Sequence, residues 1–396
     1  MSASLVLIPL MAVLAPLLAR GLGRWVRIPV VVFELVLGIV VGPSVLGWAQ
    51  PSEFVHMLSE FGLAMLFFIA GTEIELNALR GRGGRGAIGG WLISLIVGVV
   101  LGFVVAPGEG AIIIGIALAS TALGTLLPIL RDAGELATPF GRAVGALGAV
   151  GEFGPLVAIS VFLGGRTPGA ATIVLAMFAL VAAGAVWYAF AVPQGALHRF
   201  VGATLHTSGQ FAVRVVLLLV AALVALSVFL DIDMLLGAFV AGIVWRLLIR
   251  DAAEGDRHEV ESKIEAVGFG FLVPVFFIYT GVTFDLRSLI EQPLLLLMVV
   301  VTLLVLLVVR GLSSLLAARA GSTGRDRVAI ALMGATGLPI IVAVTGIGVD
   351  AGILSTAAAA VLVGAGMLSV LLFPLIAMSV RGERPVADTA LADDDA

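Results

Sequence analysis

The amino-acid sequence predicts an all-α integral membrane protein: about 13 transmembrane helices, inverted repeats, and two broken helices that cross. Three observations carry that expectation. Of the 396 residues, 61% are hydrophobic and 12% charged, whereas soluble domains run near ~45–50% apolar and ~25% charged. Thirteen apolar runs reach spanning length, and the basic residues collect on one set of their alternating connections. A stretch of the third run also recurs, in similar words, in the tenth.

The runs lie at 3–19, 28–47, 59–79, 87–106, 109–130, 138–164, 169–192, 210–230, 233–250, 264–282, 292–318, 325–348 and 352–379. They lack the period-two alternation of a membrane barrel, so each is expected to be a helix. One side of the alternating connections holds Arg20, Arg24, Arg27, Arg80, Arg82, Arg85, Arg131, Arg142, Arg199 and Arg214. It continues with Arg246, Arg250, Arg257, Lys263, Arg319, Arg325, Arg327, Arg381 and Arg384, while the other side holds only Arg166 and Arg287. Positive charge stays cytoplasmic. The expected placement is therefore a multi-pass protein of the cell membrane with its N-terminus outside and its C-terminus in the cytoplasm.

Met-Ser-Ala-Ser-Leu lacks the basic start of a secretory signal, so the first helix is expected to be retained. Residues 1–380 are expected to form one transmembrane domain, with repeats over about 28–164 and 233–379. Residues 381–396, ending in three aspartates, are expected to be a disordered tail, and the charged stretch 251–263 a solvated linker. Asp233 is placed to cap the ninth helix, and Trp25, Trp48, Trp91, Trp187 and Trp245 to anchor span ends at the interface. A net charge of -4 without a basic stripe argues against nucleic acid, and zero cysteines rule out thiolate and disulfide chemistry. Four histidines make a multi-histidine metal site unexpected, and no resident cofactor is implied.

The repeat aligns Leu66–Leu79 with Val275–Leu289 after one insertion, and more weakly Leu37–Gly42 with Leu236–Gly242. An offset of seven helices inverts one copy relative to the other, the arrangement behind alternating access in many secondary transporters. Matched interruptions then follow: Ser120-Thr121-Ala122-Leu123-Gly124 in the fifth span, ending at Pro128, and Gly334-Ala335-Thr336-Gly337-Leu338-Pro339 in the twelfth. Gly and Pro weaken the helical ladder there, and hydroxyls can satisfy the freed backbone groups or coordinate a cation.

Glu152 stands near the middle of the sixth span without a charged neighbour in that span. A charge at bilayer depth costs at least ~2.5 kcal/mol and marks an ion or proton pathway by default. Glu34, within the second span, reads as a structural pair or interface contact before an auxiliary proton site. Glu73 and Glu75, at the end of the third, read as solvated or capping.

Five stretches, Pro29–Gly47, Gly62–Arg80, Ser120–Gly141, Gly237–Gly242 and Phe271–Leu289, together resemble the monovalent cation:proton antiporters. The similar branch contains Na+/H+ exchangers and the membrane part of glutathione-gated potassium efflux systems. The resemblance implies a core domain holding the crossed helices, a separate interface domain forming a homodimer, and an elevator-like or rocking movement of the core. In the family a polar residue precedes an essential aspartate, and by position these fall on Gly151 and Glu152. The family's basic residue of the eleventh span falls on Arg310.

The expected chemistry is competition between H+ and a transported Na+ or K+ for Glu152, with Ser120, Thr121, Thr336 and backbone carbonyls as neutral oxygen ligands. Arg310 is expected either to neutralise Glu152 or to compensate the crossing backbone; the alternative is snorkelling to the cytoplasmic edge. With glycine at 151, exchange is expected to be electroneutral, one ion for one proton. Na+ is favoured over K+. The other readings weighed are a sodium-coupled organic-anion symporter and a non-transporting membrane sensor. No nucleophile–base or metal constellation suggests an enzyme. Partners are then lipid, monovalent cations, protons and a second copy of the chain.

Overall fold

The computed structural model describes residues 2–22, 29–74, 81–164, 167–191, 211–249, 254–319 and 321–382. Arg24, Trp25, Arg27, Glu75, Arg80, Arg166, Arg199, Arg250, Arg384 and most of the expected tail lie outside them. Among the described residues there is no strand. A backbone in hydrocarbon must satisfy its own N–H and C=O groups, and the helix does so within one segment. Nine segments are long and apolar enough to span, and four shorter apolar helices bring the number among the described residues to thirteen.

In chain order these are α1 (Ser2–Leu22), α2 (Val30–Val41), α3 (Glu53–Glu73), α4 (Gly81–Val105), the broken pair α5 (Glu109–Ala119) and α6 (Leu123–Asp132), α7 (Pro139–Phe162) and α8 (Pro168–Ala191). There follow α9 (Phe211–Phe229), α10 (Met234–Leu248), α11 (Glu254–Val267), α12 (Val273–Thr283), the short α13 (Leu286–Glu291) and α14 (Pro293–Leu306). The second broken pair is α15 (Gly324–Gly334) and α16 (Pro339–Asp350), and α17 (Thr356–Arg381) ends the series. Asp233 caps α10, accepting from Leu235 N at 2.9 Å.

The inverted repeat is visible in backbone detail. α3 ends at Ile74 with φ -65 and ψ 119, and α12 ends at the aligned Phe284 with φ -67 and ψ 125. The helices also exchange partners between repeats: α2 packs on α12, and α10 on α3. Glycines permit both approaches. A Cβ on Gly38 would overlap the carbonyl of Ile278, and one on Gly242 that of Phe68. One large apolar core runs through most helices, and a smaller one joins Ile8 and Met11 of α1 to Ile278 and Val282 of α12.

Two sequence expectations are corrected. Residues 254–267 form a helix rather than a linker, because Val260 and Ile264, one turn apart, are buried while Lys263 pairs with Glu259 at 2.8 Å. That helix runs through a π-turn, Gly268–Leu272, directly into α12. Trp91 and Trp245 are buried core residues rather than interfacial anchors, and the Trp91 ring fills the space a side chain at Gly154 would need. Trp48 and Trp187 are exposed.

Candidate ion-binding site at the helix crossing

The site begins where two helices fail. Between α5 and α6 the chain runs extended through Ser120, and between α15 and α16 it opens from Ala335 to Leu338. Both interruptions leave backbone groups that water cannot reach, so each must find a protein partner. Ala122 N donates to Thr336 O at 2.8 Å, tying one break to the other. Thr121 N donates to Gly151 O of α7 at 3.1 Å, and Thr121 Oγ1 donates to Gly334 O at 2.6 Å. Gly337 N is satisfied by the hydroxyl of Ser369, on α17, at 3.1 Å. Ser369 carries no local sequence signal of this role.

The crossing leaves the carbonyl ends of α5 and α15 and the amide ends of α6 and α16 close together, each with a partial charge. Arg310 lies against the crossing through the Thr121 hydroxyl. It is fully buried, on a π-turn over Leu307–Gly311 that continues α14. Nε donates to Thr121 Oγ1 at 2.9 Å and Nη2 to Leu147 O at 3.1 Å, while Nη1 has no hydrogen-bond partner among the described residues. Arg310 therefore does not snorkel. Its polar contacts are to the crossing and α7, and no ion pair with Glu152 is present among the described residues.

Glu152 takes the amide end. It is 3% exposed, and Oε1 accepts from Gly124 N, in the first turn of α6, at 3.3 Å. Oε2 has no hydrogen-bond partner among the described residues. Glu152 lines a cavity of about 1530 Å³. Glu34, Glu73, Thr125 and Pro339 line the same cavity.

Two acids thus differ from the sequence reading. Glu73, the last residue of α3, is half-buried rather than freely solvated: its Oε2 is buried without a hydrogen-bond partner among the described residues, and it lines the cavity with Glu152. Glu34 has no ion-pair partner among the described residues and faces the cavity instead. The cavity reaches Ala19 at the end of α1, Pro29 before α2, Ala133 after α6 and Ser379 near the end of α17. This face also carries Arg20, Arg131, Arg142 and Arg381.

The remaining predicted residues assemble behind Glu152 rather than beside it in the cavity. Ser120 Oγ donates to Ala117 O at 2.8 Å and Thr336 Oγ1 to Leu332 O at 3.1 Å, so the hydroxyl protons of Ser120, Thr121 and Thr336 all go to backbone. None of these three side chains lines the cavity. Gly151 is required by contact: a Cβ there would lie 2.5 Å from Thr121 Cβ and 2.6 Å from Thr121 Oγ1. Thr121 occupies the space where the family resemblance implies a polar side chain.

A family model described as sodium/hydrogen exchanger, transmembrane, matches residues 10–378. The putative Na+/H+ antiporter YjbQ of Bacillus subtilis (strain 168) is 27% identical over 321 residues, which cover 75% of this chain and 50% of that relative. The Na+/H+-K+ antiporter GerN of Bacillus cereus is 32% identical over 268 residues, 65% of this chain and 66% of its own length. The chain thus spans about half the length of the first relative and just under two thirds of the second. The structure of the sodium proton antiporter MjNhaP1 from Methanocaldococcus jannaschii at pH 8 superimposes with a TM-score of 0.66 at 18% identity, over 94% of this chain and 95% of that one. At that identity the likeness carries the fold.

Proposed function

Since the chain belongs to the transmembrane sodium/hydrogen exchanger family, we propose that it is a secondary antiporter exchanging Na+ for H+ by alternating access, with Glu152 as the shared site. One observation carries this reading: a buried carboxylate at a helix crossing, with one oxygen on a half-helix N-terminus and the other unpartnered, lining a cavity. A proton on Oε2 and a hard cation against it are mutually exclusive occupants, and that exclusion couples their movements. The names of the two curated relatives both carry Na+, and GerN's adds K+, so Na+ is the favoured ion.

Two side chains set the energetics of the exchange. Glu73 brings a second carboxyl group to the cavity, and when ionised it favours a cation there. Arg310 holds the crossing at fixed charge, because a guanidinium is never a practical proton carrier. The exchange is then one ion for one proton. Ser120, Thr121, Gly151 and Thr336 set the backbone geometry against which Glu152 works.

The cavity lies on the face richest in Arg, which we place in the cytoplasm, with the N-terminus outside and the conformation inward-open. The working unit is a homodimer, with α7 and the broken pairs moving against a static remainder. In proteoliposomes, a trapped pH dye should respond to Na+ more strongly than to K+ and be insensitive to imposed voltage. A response to K+ alone, or one that scales with voltage, would overturn the ion or the stoichiometry.

A further inference from the structure

We propose that Glu34 is a second, transient site for the transported cation, on the α2 wall of the cavity; the proposal rests on the antiporter reading above. α2 reads Val-Val-Val-Phe-Glu-Leu-Val-Leu-Gly-Ile-Val-Val, and Glu34 is the one polar side chain in its 12 residues. It is 6% exposed and makes no hydrogen bond or ion pair with any described residue, yet it lines the cavity that also holds Glu152.

Folding does not account for it. An unpaired buried carboxylate destabilises a helix bundle relative to an apolar side chain of the same size. Nor does the helix end, since Glu34 lies beyond the first turn of α2, where the favourable field of an N-terminus fades. The packing of α2 is served by Val32, Leu35, Gly38 and Val41, all buried.

The cavity indicates the ligand. Its ionisable lining residues are Glu34, Glu73, Glu135 and Glu152, and of these only Glu135 is ion-paired, with Arg381. α1, α12 and α17 contribute uncharged side chains to the wall, such as Ala12, Pro274 and Met378. Among the described residues three carboxylates thus line a shared space with no Lys or Arg in its lining, Arg246 standing beside it where it donates to Thr72 O at 2.9 Å, and low-dielectric walls concentrate the field of the acids on entering cations. Among the described residues no three acidic or histidine side chains form a group that could hold a metal ion. Glu34 stands on α2 and Glu152 on α7, and Glu34 is accordingly placed as a separate stop for a small hard cation on the way to Glu152.

The test uses the full chain, with 22Na+ and the variants Glu34→Gln, Glu34→Asp, Glu152→Gln and the Glu34→Gln/Glu152→Gln double. In proteoliposomes, Glu34→Gln should raise KM for Na+ roughly three- to tenfold with kcat nearly kept, the pattern of lost ground-state binding, and Glu34→Asp should restore most of it. In detergent, Glu152→Gln should retain weak equilibrium 22Na+ binding that the double variant loses. Unchanged KM in Glu34→Gln, equal 22Na+ binding by Glu152→Gln and the double variant, or a loss of kcat with binding intact would each overturn the proposal. Full exchange by Glu152→Gln would instead refute the antiporter site itself.

Discussion

Arg310 Nε donates to Thr121 Oγ1 across 2.9 Å, and through that hydroxyl a buried cation on α14's continuation holds both interrupted helices. Arg310→Met keeps much of the volume and removes charge and donors. It should lower stability by ~2–4 kcal/mol, because Thr121 Oγ1 and Leu147 O lose a charged donor. Arg310→Lys should recover only part, since one ammonium cannot reproduce the two-point contact of a planar fork. Thermal melts in detergent decide this; an unchanged melt for Arg310→Met would remove Arg310 from the crossing.

Gly151→Asn introduces the kind of side chain that the family resemblance implies at this position. Here it must push Thr121 away, and overpacking of this kind costs ~1–3 kcal/mol. The expected result is a less stable protein with impaired exchange. A fully active, stable Gly151→Asn would show that Thr121 can move freely.

Gly242→Ala and Gly38→Ala test the repeat. Each would drive a methyl into a carbonyl of the partner helix, Phe68 in one case and Ile278 in the other. Both should lower the melting temperature, and by comparable amounts, because each glycine meets the carbonyl three residues before a partner glycine, Gly281 in one repeat and Gly71 in the other. Gly346→Ala, where the added carbon meets nothing, should leave it unmoved or raise it slightly.

Arg381, the last residue of α17, pairs with Glu135 and with Asp326 at 2.9 Å, and its guanidinium lies 4.0 Å over the Phe140 ring. Removing one member of a buried ionic cluster costs ~3–5 kcal/mol, so Arg381→Ala should unfold far more easily than wild type. Raising salt should not reproduce the effect, since buried pairs are screened little. A wild-type melt for Arg381→Ala would contradict the cluster.

Much of this was legible in sequence. Spans declare themselves because bilayer depth requires long apolar runs, and the breaks at Ser120–Ala122 and Thr336–Leu338 announced themselves through Gly, Pro and hydroxyls. Glu152 stood out because the cation of its own span, Arg142, stands nearly three helical turns away. What stayed hidden depends on where neighbouring helices pass. Glu73 looks solvated from its place at a span end, and only the folded structure places it in the lining of the cavity that holds Glu152. Arg381 looks like the start of a charged tail until the α6–α7 connection and α15 bring Glu135 and Asp326 to it. The hydroxyls of Ser120 and Thr336 were expected to face an ion, but neither residue lines the cavity, and each donates to a backbone carbonyl one turn earlier.

Glu152→Gln is the shortest route to the central claim, since it keeps shape and removes the charge that a proton and a cation would share. Purified, folded Glu152→Gln in proteoliposomes should show no Na+-driven proton movement above the protein-free background. Exchange at the wild-type rate by that variant would contradict the account.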